Sequence, residues 1–129
     1  MTEVPTGRVN IALTGPAEIA KDEIRRRFPF TEGQQVIRVG LAYAIRCQLA
    51  AQRGIDFGTP GHGQNLNVGS FDQNGDIRAI LTALYPEVDD PYALAETLMS
   101  LGLMRLWSDI QDGTVVAFEQ VMYEQRPIA

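Results

Sequence analysis

Residues 8–16 read Arg8-Val9-Asn10-Ile11-Ala12-Leu13-Thr14-Gly15-Pro16, and the reading of this stretch decides the fold. Val9, Ile11 and Leu13 alternate with Arg8, Asn10 and Ala12, the period of two expected of a half-buried strand with one polar face. Thr14 then supplies a helix cap, and Pro16 has the fixed backbone angle that suits a first helical turn. A helix is predicted from there, with Ile19, Ala20, Ile24 and Phe28 at helical spacing and Lys21, Arg25, Arg26 and Arg27 on the other sides. Pro29 ends it, because proline disfavours the helical conformation in the residue before it.

Working outward, Thr31 and Gln34 have the spacing of a capping box for a second helix that runs to about Arg53 and stops at Gly54. Val36, Ile37, Val39, Leu41, Tyr43, Ala44, Ile45, Cys47 and Leu49 occupy most of its circumference, leaving a narrow stripe through Gln35, Arg38, Ala42 and Arg46. A helix of this kind needs partners on nearly all sides. One strand and one helix are too few, so either the C-terminal half or a second copy of the chain must pack on it.

Residues 54–70 hold five glycines, Pro60 and the only histidine, His62, and read as a long loop with a short strand at 65–68. Asp76 opens a helix to about Tyr85 whose buried side is Ile77, Ile80, Leu81 and Leu84. Asp90 and Pro91 cap and start a helix to about Ile110, rich in leucine. Residues 114–123 are open between strand and helix, with Val115, Phe118, Val121 and Met122 favouring helix. The expected fold class is mainly α: a short N-terminal strand followed by helices, with a C-terminal helical part, in an oligomer. Its regions are a strand-helix-helix unit at 1–53, a glycine-rich loop at 54–70, and an acidic helical region at 71–129 packing on the same core.

Charge divides along the same line. The first 53 residues carry eight Lys and Arg against five Asp and Glu, and the remaining 76 carry three against eleven. The chain as a whole is acidic, with a net charge of −5, yet such a split can hide a basic face at the front. At 129 residues and 45% apolar composition one conventional core is expected, and no apolar run approaches the roughly 20 residues that span a bilayer. The N-terminus does not resemble a secretory signal, and a single cysteine allows no intrachain disulfide. A cytoplasmic location is the expectation from both.

Residues 7–53, with the alternating strand, the basic first helix and the Thr-capped apolar second helix, resemble the ribbon-helix-helix family of DNA-binding proteins. The resemblance implies that two strands from a dimer pair into a ribbon that enters the major groove while the start of the second helix holds a phosphate. It would aim Arg8 and Asn10 at base edges, put small Ala12 at the third outward position, and give the amides after Thr31 a phosphate. The plain alternative is a half-buried strand whose Arg8 and Asn10 are merely solvated. A second resemblance rests on the order of segments 35–44, 66–72 and 77–84 with the late 98–106 stretch. It is to the DndE family of DNA sulphur-modification accessory proteins, and implies a small helical oligomer that binds duplex DNA.

Chemistry has few candidates. His62 stands alone, and Cys47 on an apolar helix surface should be a buried, unreactive thiol. Asp72, Asn74 and Asp76 have the spacing that opens a calcium loop, but Ile77 and Ala83 occupy the positions that need glycine and glutamate. The glycines of 58–63 lack the lysine of a phosphate loop. No catalytic residue, metal or cofactor is therefore expected. The expectation is a non-enzymatic DNA-binding accessory or regulatory protein of a DNA-modification (phosphorothioation-like) or phage-defence system. It would act as a homo-oligomer, alone or within a larger protein complex, with no membrane partner. Its DNA-facing residues would be Arg8, Asn10, Lys21, Arg25, Arg26, Arg27, Thr31 and Arg38. The alternatives are a ribbon-helix-helix transcriptional repressor and a protein–protein interaction scaffold that binds no DNA.

Overall fold

The computed structural model describes residues 10–52 and 60–115. The chain enters on strand β1 (Asn10–Thr14) and passes directly into helix α1 (Gly15–Arg27). The side chain of Thr14 accepts the Ala17 N–H at 3.2 Å, and Pro16 lies in the first turn, as its local chemistry requires. Helix α2 (Gly33–Arg46) begins one residue later than the Thr31 box predicts. Gln35 rather than Gln34 closes it: its side-chain oxygen accepts from the N–H groups of Thr31 and Glu32 at 3.0 and 3.1 Å. The helix also stops short of Arg53. Cys47 caps it and Gln48 turns the chain with a φ of 57°, after which residues Leu49–Gln52 form a 3-10 turn.

The short strand expected at 65–68 is the end of a longer one that begins within the stretch read as a loop. Strand β2 (Pro60–Asn67) pairs antiparallel with β1, with Asn10 opposite Asn67, Ile11 opposite Leu66 and Leu13 opposite His62. The short helix α3 (Val68–Phe71), helix α4 (Asp76–Leu84) and the long helix α5 (Pro91–Gln111) complete the described chain. Among the described residues the protein is therefore mainly helical, with one two-stranded sheet. Residues 116–123, whose state the sequence leaves open, lie outside the described residues.

A single hydrophobic core runs from Ile11 to Val115 and is organised around α5, which packs on α2, α1 and β1. Asp90 starts α5 by accepting the Ala93 N–H at 3.2 Å. Helices α2 and α5 meet at two glycines, where a Cβ on Gly102 would stand 1.8 Å from the Gly40 carbonyl oxygen. Only an absent side chain permits backbones to approach this closely.

This packing removes the reason for expecting an oligomer from α2 and α5. Val36, Ile37, Leu41, Tyr43 and Ala44 on α2, and Leu94, Leu98, Met99, Leu103 and Leu106 on α5, are all buried within one chain. The apolar surface left over lies elsewhere. Ile80 and Leu84, expected on the buried side of α4, are each 51% exposed, and Ile19 on α1 is 66% exposed. Helix α4 has α5 as its main neighbour, so only Leu81 of its apolar stripe is fully buried.

Candidate nucleic-acid interface

The strand expected to present a polar face is enclosed. Ile11, Ala12, Leu13 and Thr14 are all buried, so Ala12 at 6% exposure is not an outward position. The reason is that α5 brings two polar side chains to the strand. The Ala12 N–H donates to the Glu96 carboxylate at 2.9 Å, and the Thr14 N–H donates to the Ser100 hydroxyl at 3.1 Å. With β2 of the same chain bonded along β1 as well, one edge of the strand and the Ala12 and Thr14 N–H groups of the other are engaged within one chain, so those N–H groups are taken from a ribbon between two copies. Glu96 and Ser100 are themselves buried. A charged residue inside the apolar run Leu94-Ala95-Glu96-Thr97-Leu98 was the signal for this contact, since a carboxylate on a core-facing surface needs donors.

Of the residues expected to face DNA, Arg8 lies outside the described residues. Asn10 is exposed at the start of β1, next to Asn67. Lys21 is drawn inward: its side chain is 11% accessible, bonded to Glu18 and 3.5 Å from Asp22. Two carboxylates on one ammonium leave little field for a phosphate, so Lys21 does not fit its expected role. Thr31 is exposed, but its N–H and its hydroxyl both turn to Gln35. Part of the amide set expected to take a phosphate is thus already occupied. Arg38 donates to the Phe71 carbonyl at 2.6 Å and stacks over the Phe71 ring, 4.4 Å from its centre. That contact ties α2 to α3.

The three arginines at the end of α1 are different. Arg25, Arg26 and Arg27 are all exposed. Arg25 donates to the Thr31 carbonyl at 2.6 Å and so fixes the corner between α1 and α2, and Arg26 pairs with Glu23 on the surface. Cations in the last turn also suit the negative end of their own helix.

Two buried polar clusters escaped the sequence reading. Asp72, at the head of the stretch read as a turn, accepts from the N–H groups of Ile77 and Arg78 at 2.9 and 3.1 Å and from the Tyr92 hydroxyl at 2.8 Å. Its carboxylate, not Asp76, satisfies the first amides of α4, and Gly75 at φ 74° makes the turn between them. Burial alone would raise the Asp72 carboxyl, but these donors and the Arg38 charge hold it below the usual carboxylate range. Burial and the bond to Asp72 in turn push Tyr92 up to about 12. In the second cluster the Tyr43 hydroxyl donates to Asp109 at 2.5 Å, and Arg105 donates to the same carboxylate at 3.2 and 3.3 Å. Burial raises the half-buried Cys47 thiol beside it, which disfavours the reactive thiolate.

Among the described residues no group of three or more His, Cys, Asp or Glu side chains is arranged to hold a metal, and no helix is long and apolar enough to cross a membrane. No protein-family model, curated protein or solved structure matches this chain.

Proposed function

We propose that the chain is a non-enzymatic DNA-associated protein that holds duplex DNA by its phosphates, through the arginine corner at the junction of α1 and α2. The observation that carries this reading is the exposure of Arg25, Arg26 and Arg27 together at one corner. Guanidinium groups donate in a planar fork that matches phosphate oxygens. The acidic remainder of the chain does not forbid such contact, because at physiological salt charges beyond about 8 Å are largely screened. Backbone contact of this kind positions a protein on DNA without reading its sequence. An accessory role in DNA modification or phage defence accords with the DndE-like order of segments. The enclosure of Ala12 and the engagement of β1 within one chain weigh against the repressor reading, which needs an outward strand.

The test is the affinity for a random-sequence duplex at two salt concentrations, with and without Arg26→Glu/Arg27→Glu. One observation favours the scaffold reading instead: the exposed apolar surface of α4 suits protein contact. A salt-independent or absent response to DNA would promote that reading.

A further inference from the structure

Next to the arginine corner the surface opens into a hollow of about 390 Å³. Pro29 and Phe30 line it from the turn between α1 and α2, and Gln35, Arg38 and Val39 line it from α2. The last three are three and four positions apart and so share one face of the helix. A cavity of about 150 Å³ accepts benzene, so the hollow has room for a larger flat ring system. Phe30 and Val39 are backed by core, since on their inner side they meet Ile24, Leu106 and Ile110.

The polar part of this lining donates. Gln35 Oε1 already accepts from the Thr31 N–H, the Thr31 hydroxyl and the Glu32 N–H, at 3.0, 3.1 and 3.1 Å. Three donors on one atom fix the amide's orientation and leave its NH2 group to give. Arg38 gives one N–H to the Phe71 carbonyl while stacked on the Phe71 ring, and a guanidinium carries five. Among the described residues that line the hollow none is acidic. A ligand that fits has acceptors along an edge and a flat face to lay on Pro29, Phe30 and Val39. The hollow is also tied to the arginine corner, because Arg25 holds the Thr31 carbonyl and Thr31 holds Gln35. In a duplex the bases are stacked and paired. An unpaired base exposes both face and edge, and such bases stack on aromatic rings and guanidinium planes. We infer that the hollow takes an unpaired base, at an overhang or bulge, from a strand whose backbone the arginine corner holds. This rests on the phosphate-contact reading and adds to it the recognition of a local feature of the DNA. The donating rim favours thymine and guanine over adenine: thymine O4 and guanine O6 and N7 accept, whereas adenine sets an amino group beside its N7.

Fluorescence anisotropy tests this with one duplex in three forms: blunt, with a short thymine overhang, and with an abasic overhang of equal length. The thymine overhang should bind at least about fivefold more tightly than the abasic one, the low end of what stacking one base contributes. An adenine overhang should gain less. Gln35→Glu keeps the oxygen that Thr31 and Glu32 need, glutamate being a natural residue of a capping box, but removes the NH2 donors. It should bring the thymine-to-abasic ratio close to one while circular dichroism shows the fold retained. Phe30→Leu, which keeps an apolar side chain and loses the ring, should lower the ratio as well. A ratio of one in the native chain, or a ratio that neither variant changes, overturns the inference, and salt-dependent binding of the blunt duplex in that case leaves the phosphate reading standing. No salt-dependent binding to any of the three forms overturns both. Equal gains from thymine and adenine overturn the assignment of the donating rim.

Discussion

Replacing Gly102 by alanine adds one methyl group at the contact that holds α2 and α5 together. That methyl would lie 1.8 Å from the Gly40 carbonyl oxygen, 2.7 Å from the carbonyl carbon and 3.0 Å from the Ala44 Cβ. Ordinary carbon–oxygen contacts run at about 3.3–3.6 Å, so the helices must part by roughly 1.5 Å. A gap of about 0.5–1 Å already forfeits a quarter to a half of a dispersion well. The side chains that lose contact are core residues such as Val36, Ala44, Leu98 and Leu103, each fully buried. Overpacking of this kind costs about 1–3 kcal/mol. Here the upper end or beyond applies, because the obstacle is backbone and cannot rotate away. Alanine's helix preference over glycine returns about 1 kcal/mol, leaving a net loss of about 2–3 kcal/mol and a fall in Tm of roughly 8–12 °C for a chain of this size. Thermal unfolding followed by far-ultraviolet circular dichroism reads this directly. Gly33→Ala is the internal comparison, since its methyl would meet nothing nearer than 3.7 Å and should leave stability unchanged or raise it by up to about 1 kcal/mol. An unchanged or higher Tm for Gly102→Ala would refute the reasoning, because the two helices could not then be in this contact.

Two further outcomes concern pH. The Asp72 carboxyl is held below its ordinary value, so its contribution is complete above the unfolded value of about 3.9 and fades as pH falls through the lower folded value; Asp72→Asn should flatten that acid limb of the stability curve and lower stability at neutral pH. Tyr92 is raised to about 12, so its contribution is complete below the unfolded value of about 10 and disappears as pH rises through about 12. Tyr92→Phe should lessen that alkaline loss, and denaturant unfolding between pH 9 and roughly pH 12 checks it.

What could be read from the sequence was what is local. Thr14 and Asp90 declare the starts of α1 and α5 because a cap needs only the next three residues. The exposed arginines at the end of α1 and the polar stripe of α2 at Gln35, Arg38 and Ala42 follow from helical spacing. Only the end of β2, at 65–67, was legible; its first part was hidden because Pro60, Gly61 and Gly63 are poor strand formers, and what holds that part is pairing with β1, which is distant in sequence. Ala12 looked outward because alternation assigns one face to solvent, whereas β1 lies between other elements on both faces. Lys21 looked free because its carboxylate partners, Glu18 and Asp22, are equally consistent with a solvated helix face. Ile80 and Leu84 looked buried because periodicity marks an apolar stripe without saying whether anything covers it.

The salt dependence of duplex-DNA affinity tests the phosphate-contact reading most directly. Three arginines neutralising three phosphates give a slope of about −2.7 in log K against log salt, or roughly a 40-fold loss between 50 and 200 mM. Arg26→Glu/Arg27→Glu should remove most of that slope and weaken binding to every duplex sequence alike, while circular dichroism shows the fold retained. Affinity and slope unchanged in the folded variant would contradict the account, and would return the arginine corner to the role of a solvated helix end.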